Sequence, residues 1–74
     1  MITIRIIYSN HALEKVDRYG IDVDEVERTI KQGMKWKEND TEKWHANRGG
    51  IECVFMKQEE IFFIITVYQN KGRT

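Results

Sequence analysis

Residues 61–69 read IFFIITVYQ, and that stretch limits the folds open to this chain more than any other. Its first five residues are all apolar, so an extended conformation makes both faces of the strand apolar until Thr66. Such a strand belongs in the interior of a sheet, with partners on either side. The preceding run, IECVFMK at 51–57, alternates more clearly, and Gln58 to Glu60 supply a tight turn between the two. A hairpin ending in an interior strand is therefore the expected centre of the fold.

The rest of the chain supplies what can surround that strand. ITIRIIY, residues 2–8, places Ile2, Ile4 and Ile6 on one face and Thr3 and Arg5 on the other, as a first strand. Ser9 or Asn10 can cap a following helix whose apolar stripe is Ala12, Leu13, Val16 and Tyr19, ending at Gly20. Asp22 and Glu25 form a variant capping box, and Ile21 with Val26 a hydrophobic staple, for a second helix closed by Gly33. Acid at its start and base at its end suit the helix dipole.

From residue 34 the period becomes two. MKWK, the turn-like ENDT and EKWHAN predict a hairpin that brings Trp36 toward Trp44, and Arg48-Gly49-Gly50 make the next turn. The order is β-α-α-β-β-β-β, an α+β fold with two helices packed on one face of a largely antiparallel sheet. Val16, Val26, Ile30, Phe55, Phe63 and Ile65 are the expected core. Replacing Phe63 by alanine would then cost about 3–5 kcal/mol.

A length of 74 residues with 41% hydrophobic content accommodates one domain, 1–74, with a thin core and a frayed polar tail at 70–74. Twelve basic and twelve acidic residues cancel, which argues against a general polyanion binder but leaves room for a local basic patch. One cysteine excludes an intramolecular disulfide and a cysteine-rich zinc site; Cys53 alternates with Ile51 and Phe55 as a small core residue. No apolar run is long enough to span a bilayer and no signal peptide is visible, so a cytoplasmic protein is expected. Neither a metal site nor a cofactor motif stands out.

Three groups of residues could carry chemistry. His11, Lys15 and Arg18, at i, i+4 and i+7, form one stripe of the first helix, which is either a solvated face or the rim of a groove between that helix and the sheet. In WHANR, inward Trp44 and Ala46 would leave Lys43, His45 and Asn47 outward, with Arg48 in the turn. Histidine beside Lys and Arg is the combination that phosphodiester cleavage requires, an acid or base plus cations for the developing charge. Thr66 and Tyr68 sit where the last strand becomes polar, sharing a face with Phe62 and Ile64. Tyr68 would serve as a stacking surface or hydroxyl donor.

HALEKVDRYGIDVDEVERTIKQG at 11–33, joined later to IITVY at 64–68, resembles the domain-of-unknown-function family numbered forty-two fifty-eight. Domains of this family are similar in fold to the RelE and BrnT toxins. The resemblance implies the same element order, with His11 as the family's helix histidine and Thr66 and Tyr68 as its terminal-strand motif; Lys15 and Tyr19 stand where the family often has arginines.

Two functions follow as expectations. The first is a ribonuclease of a toxin–antitoxin system, with His11, His45 and Tyr68 as catalytic candidates and Lys15, Arg18, Arg48 and Thr66 contacting RNA. The second is a non-catalytic module whose exposed sheet face binds an antitoxin or other protein partner, anchored by Trp36 and Trp44.

Overall fold

The computed structural model describes residues 4–69. Its elements follow in the order β1 (Arg5–Tyr8), α1 (Asn10–Tyr19), α2 (Val23–Gln32), β2 (Met34–Lys37), β3 (Lys43–Arg48), β4 (Ile51–Gln58) and β5 (Ile61–Gln69). The five strands form one sheet ordered β1-β5-β4-β3-β2. Only β1 runs parallel to its neighbour, β5; the other three pairings are antiparallel. The interior position expected for β5 is thus observed. Ile2 and Thr3 of the expected first strand, and the tail at 70–74, lie outside the described residues.

Local chemistry sets the helix limits. Ser9 caps α1 by accepting from the Ala12 amide at 3.0 Å, and Gly20 ends it in the left-handed conformation. Asp22 caps α2 through the Asp24 amide at 3.3 Å. Gly33 closes α2 for a different reason, since its backbone is extended. A Cβ there would stand 2.5 Å from the Thr29 carbonyl oxygen and 2.7 Å from that of Asn47, so only glycine lets α2 meet β3 this closely. The last carbonyls of α2 are met by a side chain instead: the Lys35 ammonium donates to the Ile30 oxygen at 2.8 Å and the Gly33 oxygen at 3.3 Å.

Both helices pack on one face of the sheet. Ala12 and Val16 from α1, with Val26 and Ile30 from α2, join Ala46, Cys53, Phe55, Phe62, Ile64 and Val67 in one buried cluster. Thr29 is fully buried as well, its hydroxyl donating to the Glu25 carbonyl at 2.8 Å. Between β3 and β4 the turn is two residues, Gly49 and Gly50, both with positive φ (58° and 87°). That is the geometry that matches the twist of a two-residue hairpin and favours glycine.

Phe63 and Ile65 do not occupy the core positions expected of them. The pairing of β4 with β5 slips between Val54, opposite Thr66, and Phe55, opposite Ile64, so Ile65 is an extra residue in β5. Before this bulge, Phe62 and Ile64 face the helices, and after it Val67 does. Phe63 is therefore on the opposite face and 42% exposed, while Ile65 is half-buried at the bulge. An unbroken apolar run gives no phase, and a bulge reverses whatever phase is chosen. For the same reason Thr66 and Tyr68 lie on the face opposite Phe62 and Ile64, not beside them.

The expected approach of Trp36 to Trp44 is also off by one. Trp36 pairs with His45 and Lys37 with Trp44, so the two indoles lie on opposite faces of the sheet.

Candidate functional site

With the helices on one face, the other carries a grid of side chains fixed by strand register. One row across it reads Ile7, Phe63, Met56 and Lys43; the next reads Thr66, Val54, His45 and Trp36; a third reads Tyr68, Glu52, Asn47 and Met34. Arg5, Ile61 and Gln58 form a further row at the other end.

His45 sits at the centre of the polar part. Its Nε2 lies 2.6 Å from Glu38 Oε2 and its Nδ1 2.9 Å from Glu52 Oε2. An ionised carboxylate only accepts, so the two contacts are made together when both ring nitrogens carry a proton. Burial pushes its pKa down, but the hydrogen bonds and charges of Glu38 and Glu52 outweigh that and leave it raised. The hydrogen bond from His45 holds the Glu38 carboxyl below its ordinary range, with Thr41 and Lys43 adding to the effect. Trp36 covers the imidazolium, the rings stacked 5.1 Å apart and 6° from parallel.

This arrangement differs from a phosphodiester-cleaving centre. His45 lies among carboxylates, which repel phosphate. Arg48 turns to the helix side, where its Nη1 meets Glu25 Oε1 at 3.3 Å, so the structure does not bring it to His45. Thr66 does share a row with His45, across Val54, and its buried hydroxyl has no hydrogen-bond partner among the described residues. Tyr68 pairs across the strands with Glu52 and is 45% exposed. The Lys15 ammonium from α1 stands over the Tyr68 ring, 4.8 Å from its centre, and 5.5 Å from that of Tyr19. His11 and Arg18 are exposed on α1. Of two surface depressions, one lined by Leu13, Val16, Asp17, Gly20, Ile21 and Asp22 and one on the sheet near Phe63, neither includes His11.

Glu38 and Glu52 are the partners that reading the sequence missed, although one was legible. A two-residue Gly49-Gly50 turn dictates that Asn47 faces Glu52, which puts Glu52 diagonal to His45. Glu38 belongs to the loop after β2, whose path no periodicity specifies. The nitrogens of His45 point to opposite sides, so these three residues cannot converge on one ion, and no metal-binding cluster forms among the described residues.

The apolar part of the face is the other half of the site. Ile7, Phe63 and Met56 are direct cross-strand neighbours, with exposures of 44%, 42% and 39%, and Ile61 adjoins them at 36%. A cavity of about 310 Å³ opens beside them, lined by Glu42, Met56, Lys57, Gln58, Ile61 and Phe63. Cys53 lies on the helix side between Ala46 and Val67, its thiol pushed up to about 12 by burial and by the charge of Glu52. It is no nucleophile at neutral pH.

Two helices on one face of a five-stranded, mostly antiparallel sheet define a RelE-like fold. The chain superimposes on a chain of the RelBE2 toxin–antitoxin complex from Mycobacterium tuberculosis with a TM-score of 0.69, over 92% of this chain and 99% of that one, at 12% sequence identity. At that identity the likeness is one of fold. The family model for a domain of unknown function, DUF4258, matches residues 8–69, and the chain belongs to this family. No curated protein matches the sequence. Among the described residues no helix is long and apolar enough to cross a membrane.

Proposed function

We propose that this chain is a toxin-fold module that acts by binding a protein partner across the open face of its sheet. One observation carries the reading: Ile7, Phe63, Met56 and Ile61 form a contiguous apolar patch that neither helix covers. The fold does not require those side chains, because the buried cluster is complete on the other face. The occupant is a polypeptide offering apolar anchors, as an antitoxin would, and the chain of similar fold was itself crystallised in a toxin–antitoxin complex. Trp36, 40% exposed, and Met34, 74% exposed, extend the apolar surface beyond His45. Trp44, on the helix side, takes no part.

A second reading has one specific observation in its favour. Lys15 over Tyr68, with His11 and Arg18 on the same helix, would offer cations and an aromatic ring to RNA. In that case His11 and Tyr68 are the catalytic candidates and Lys15, Arg18 and Thr66 the contacts. His45 and Arg48 are left out of this reading, because carboxylates already face both of them.

A photoreactive phenylalanine at position 63 tests the choice. The protein cross-linked to it in cells is identified, purified and titrated against the wild-type chain and its variants. Phe63→Asp is expected to weaken that purified complex at least tenfold, about 1.4 kcal/mol. Lys15→Ala with Arg18→Ala should leave it unchanged. A complex indifferent to Phe63→Asp overturns the proposal. RNA cleavage by the wild type that His11→Ala abolishes, with binding intact, would establish the ribonuclease instead.

A further inference from the structure

The edge strand β2 is held to the sheet by little. All four of its residues are exposed, and among the described residues it pairs only with β3. Beyond that ladder, its side-chain attachments are Lys35 on the end of α2 and Trp36 on the ring of His45. The loop that follows is tied in through Glu38. Its carboxylate accepts from His45 at 2.6 Å and from the Thr41 hydroxyl at 3.2 Å, and Thr41 in turn accepts from the Lys43 amide at 3.1 Å. His45 is therefore the point where β2, its loop and β4 are joined.

We propose that His45 is a proton-operated clasp for β2 and the loop after it. With both nitrogens protonated, the ring donates to a carboxylate on each side. Loss of one proton to solvent turns one nitrogen into an acceptor facing an acceptor, and one carboxylate must withdraw. Glu52 is part of the paired strand β4, its side chain 28% exposed; Glu38 is in a loop, 37% exposed, and can turn into water. Glu38 is the one that leaves, taking with it its bond from Thr41 and the tie between the loop and the ring on which Trp36 stacks.

The charges facing His45 favour the closed state. Glu38 comes from the loop and Glu52 from β4; Lys43 on its own strand is the opposing cation, Asn47 and Thr66 are neutral, and Tyr68 lies beyond Glu52. Since the His45 pKa is raised, the clasp is complete below its ordinary value of 6.5 and is lost as pH rises through the raised value. Glu38, whose pKa is lowered from 4.5, sets the acid limit: its contribution fades as pH falls through that lowered value. The clasp operates between these limits and opens on the alkaline side. Because Trp36 and Met34 belong to the open face, opening would reshape one half of the surface proposed above for a partner. That consequence rests on the partner reading; the clasp does not.

Nitrogen NMR of the imidazole and hydrogen exchange of the isolated chain test the clasp. Both ring nitrogens should be protonated at pH 6, with a midpoint above 6.5. Protection factors of the β2 amides bonded to β3 should fall at least tenfold across that same midpoint, while those of β4 and β5 hold. Glu38→Gln should move the midpoint down, and His45→Gln should leave β2 protection low and independent of pH. A midpoint at or below 6.5, or β2 protection that stays level while His45 titrates, overturns the proposal. A partner complex that fails to form would bear on the docking surface and leave these readings untouched.

Discussion

Both faces of this sheet carry large apolar side chains, and the two sets are opposite in circumstance. On the covered face, Ala46, Cys53, Ile64 and Val67 have no exposed surface, and α1 and α2 close over them. On the open face, Phe63, Met56 and Ile7 are each about two-fifths exposed, and among the described residues no helix or strand lies above them. Folding accounts for the first set through the area it removes from water. It does not account for the second, which a small soluble domain would ordinarily replace with polar residues. An apolar residue that stability does not explain is the evidence for a binding function here, and the contrast can be tested on single side chains.

The largest effect should come from the covered face. Phe55 is 1% exposed and stacks on Phe62, the ring centres 5.1 Å apart. Phe55→Ala should cost about 3–5 kcal/mol in chemical denaturation, a large part of what a domain of this size has. A cost near 1 kcal/mol would mean that the covered face is packed no better than the open one.

An intermediate effect belongs to Ser9, where the chain passes from β1 to α1. Its hydroxyl accepts from the Ala12 amide and donates to the carbonyl of Ile65, the bulge residue, at 2.8 Å. One side chain therefore caps a helix and satisfies the oxygen that the bulge leaves outside the ladder. Ser9→Ala should cost about 1–2 kcal/mol, at the upper end for an N-cap, with Ser9→Thr restoring much of it. A cost of a few tenths would show that the bulge does not depend on this contact.

Ser9 also marks the limit of what the sequence displays. As a helix cap it is legible, as are Gly20, Asp22 and the interior place of β5, because each depends on neighbours within a few residues or on a strand apolar throughout. The carbonyl of Ile65 at the bulge meets a partner 56 residues away, which no local pattern encodes. Everything downstream of it in β5, including the faces of Thr66 and Tyr68, inherits that uncertainty of phase. At the candidate site, His45 was legible as outward-facing because Trp44 and Ala46 alternate with it. Its carboxylate partners come from a loop and from the neighbouring strand, so the alternation shows the ring but not what surrounds it.

The smallest effect on stability, and the most informative, is expected at Phe63. Phe62 and Phe63 are adjacent and chemically identical, yet Phe62 is 7% exposed and Phe63 42%. Phe62→Ala should cost close to the full price of a buried aromatic, about 3 kcal/mol or more. Phe63→Ala should cost less than about 1 kcal/mol, because its ring already meets water and its removal opens no internal cavity. The same Phe63 variant should lose affinity for the cross-linked partner, whereas a Phe62 variant that remains folded should bind as the wild type does. Denaturation and binding measured on both variants give two independent rankings of the pair. If Phe63→Ala proves the more destabilising of the two, the register that places the bulge at Ile65 is wrong, and the apolar patch with it. If both variants bind alike, the register stands and the patch is not where the partner docks.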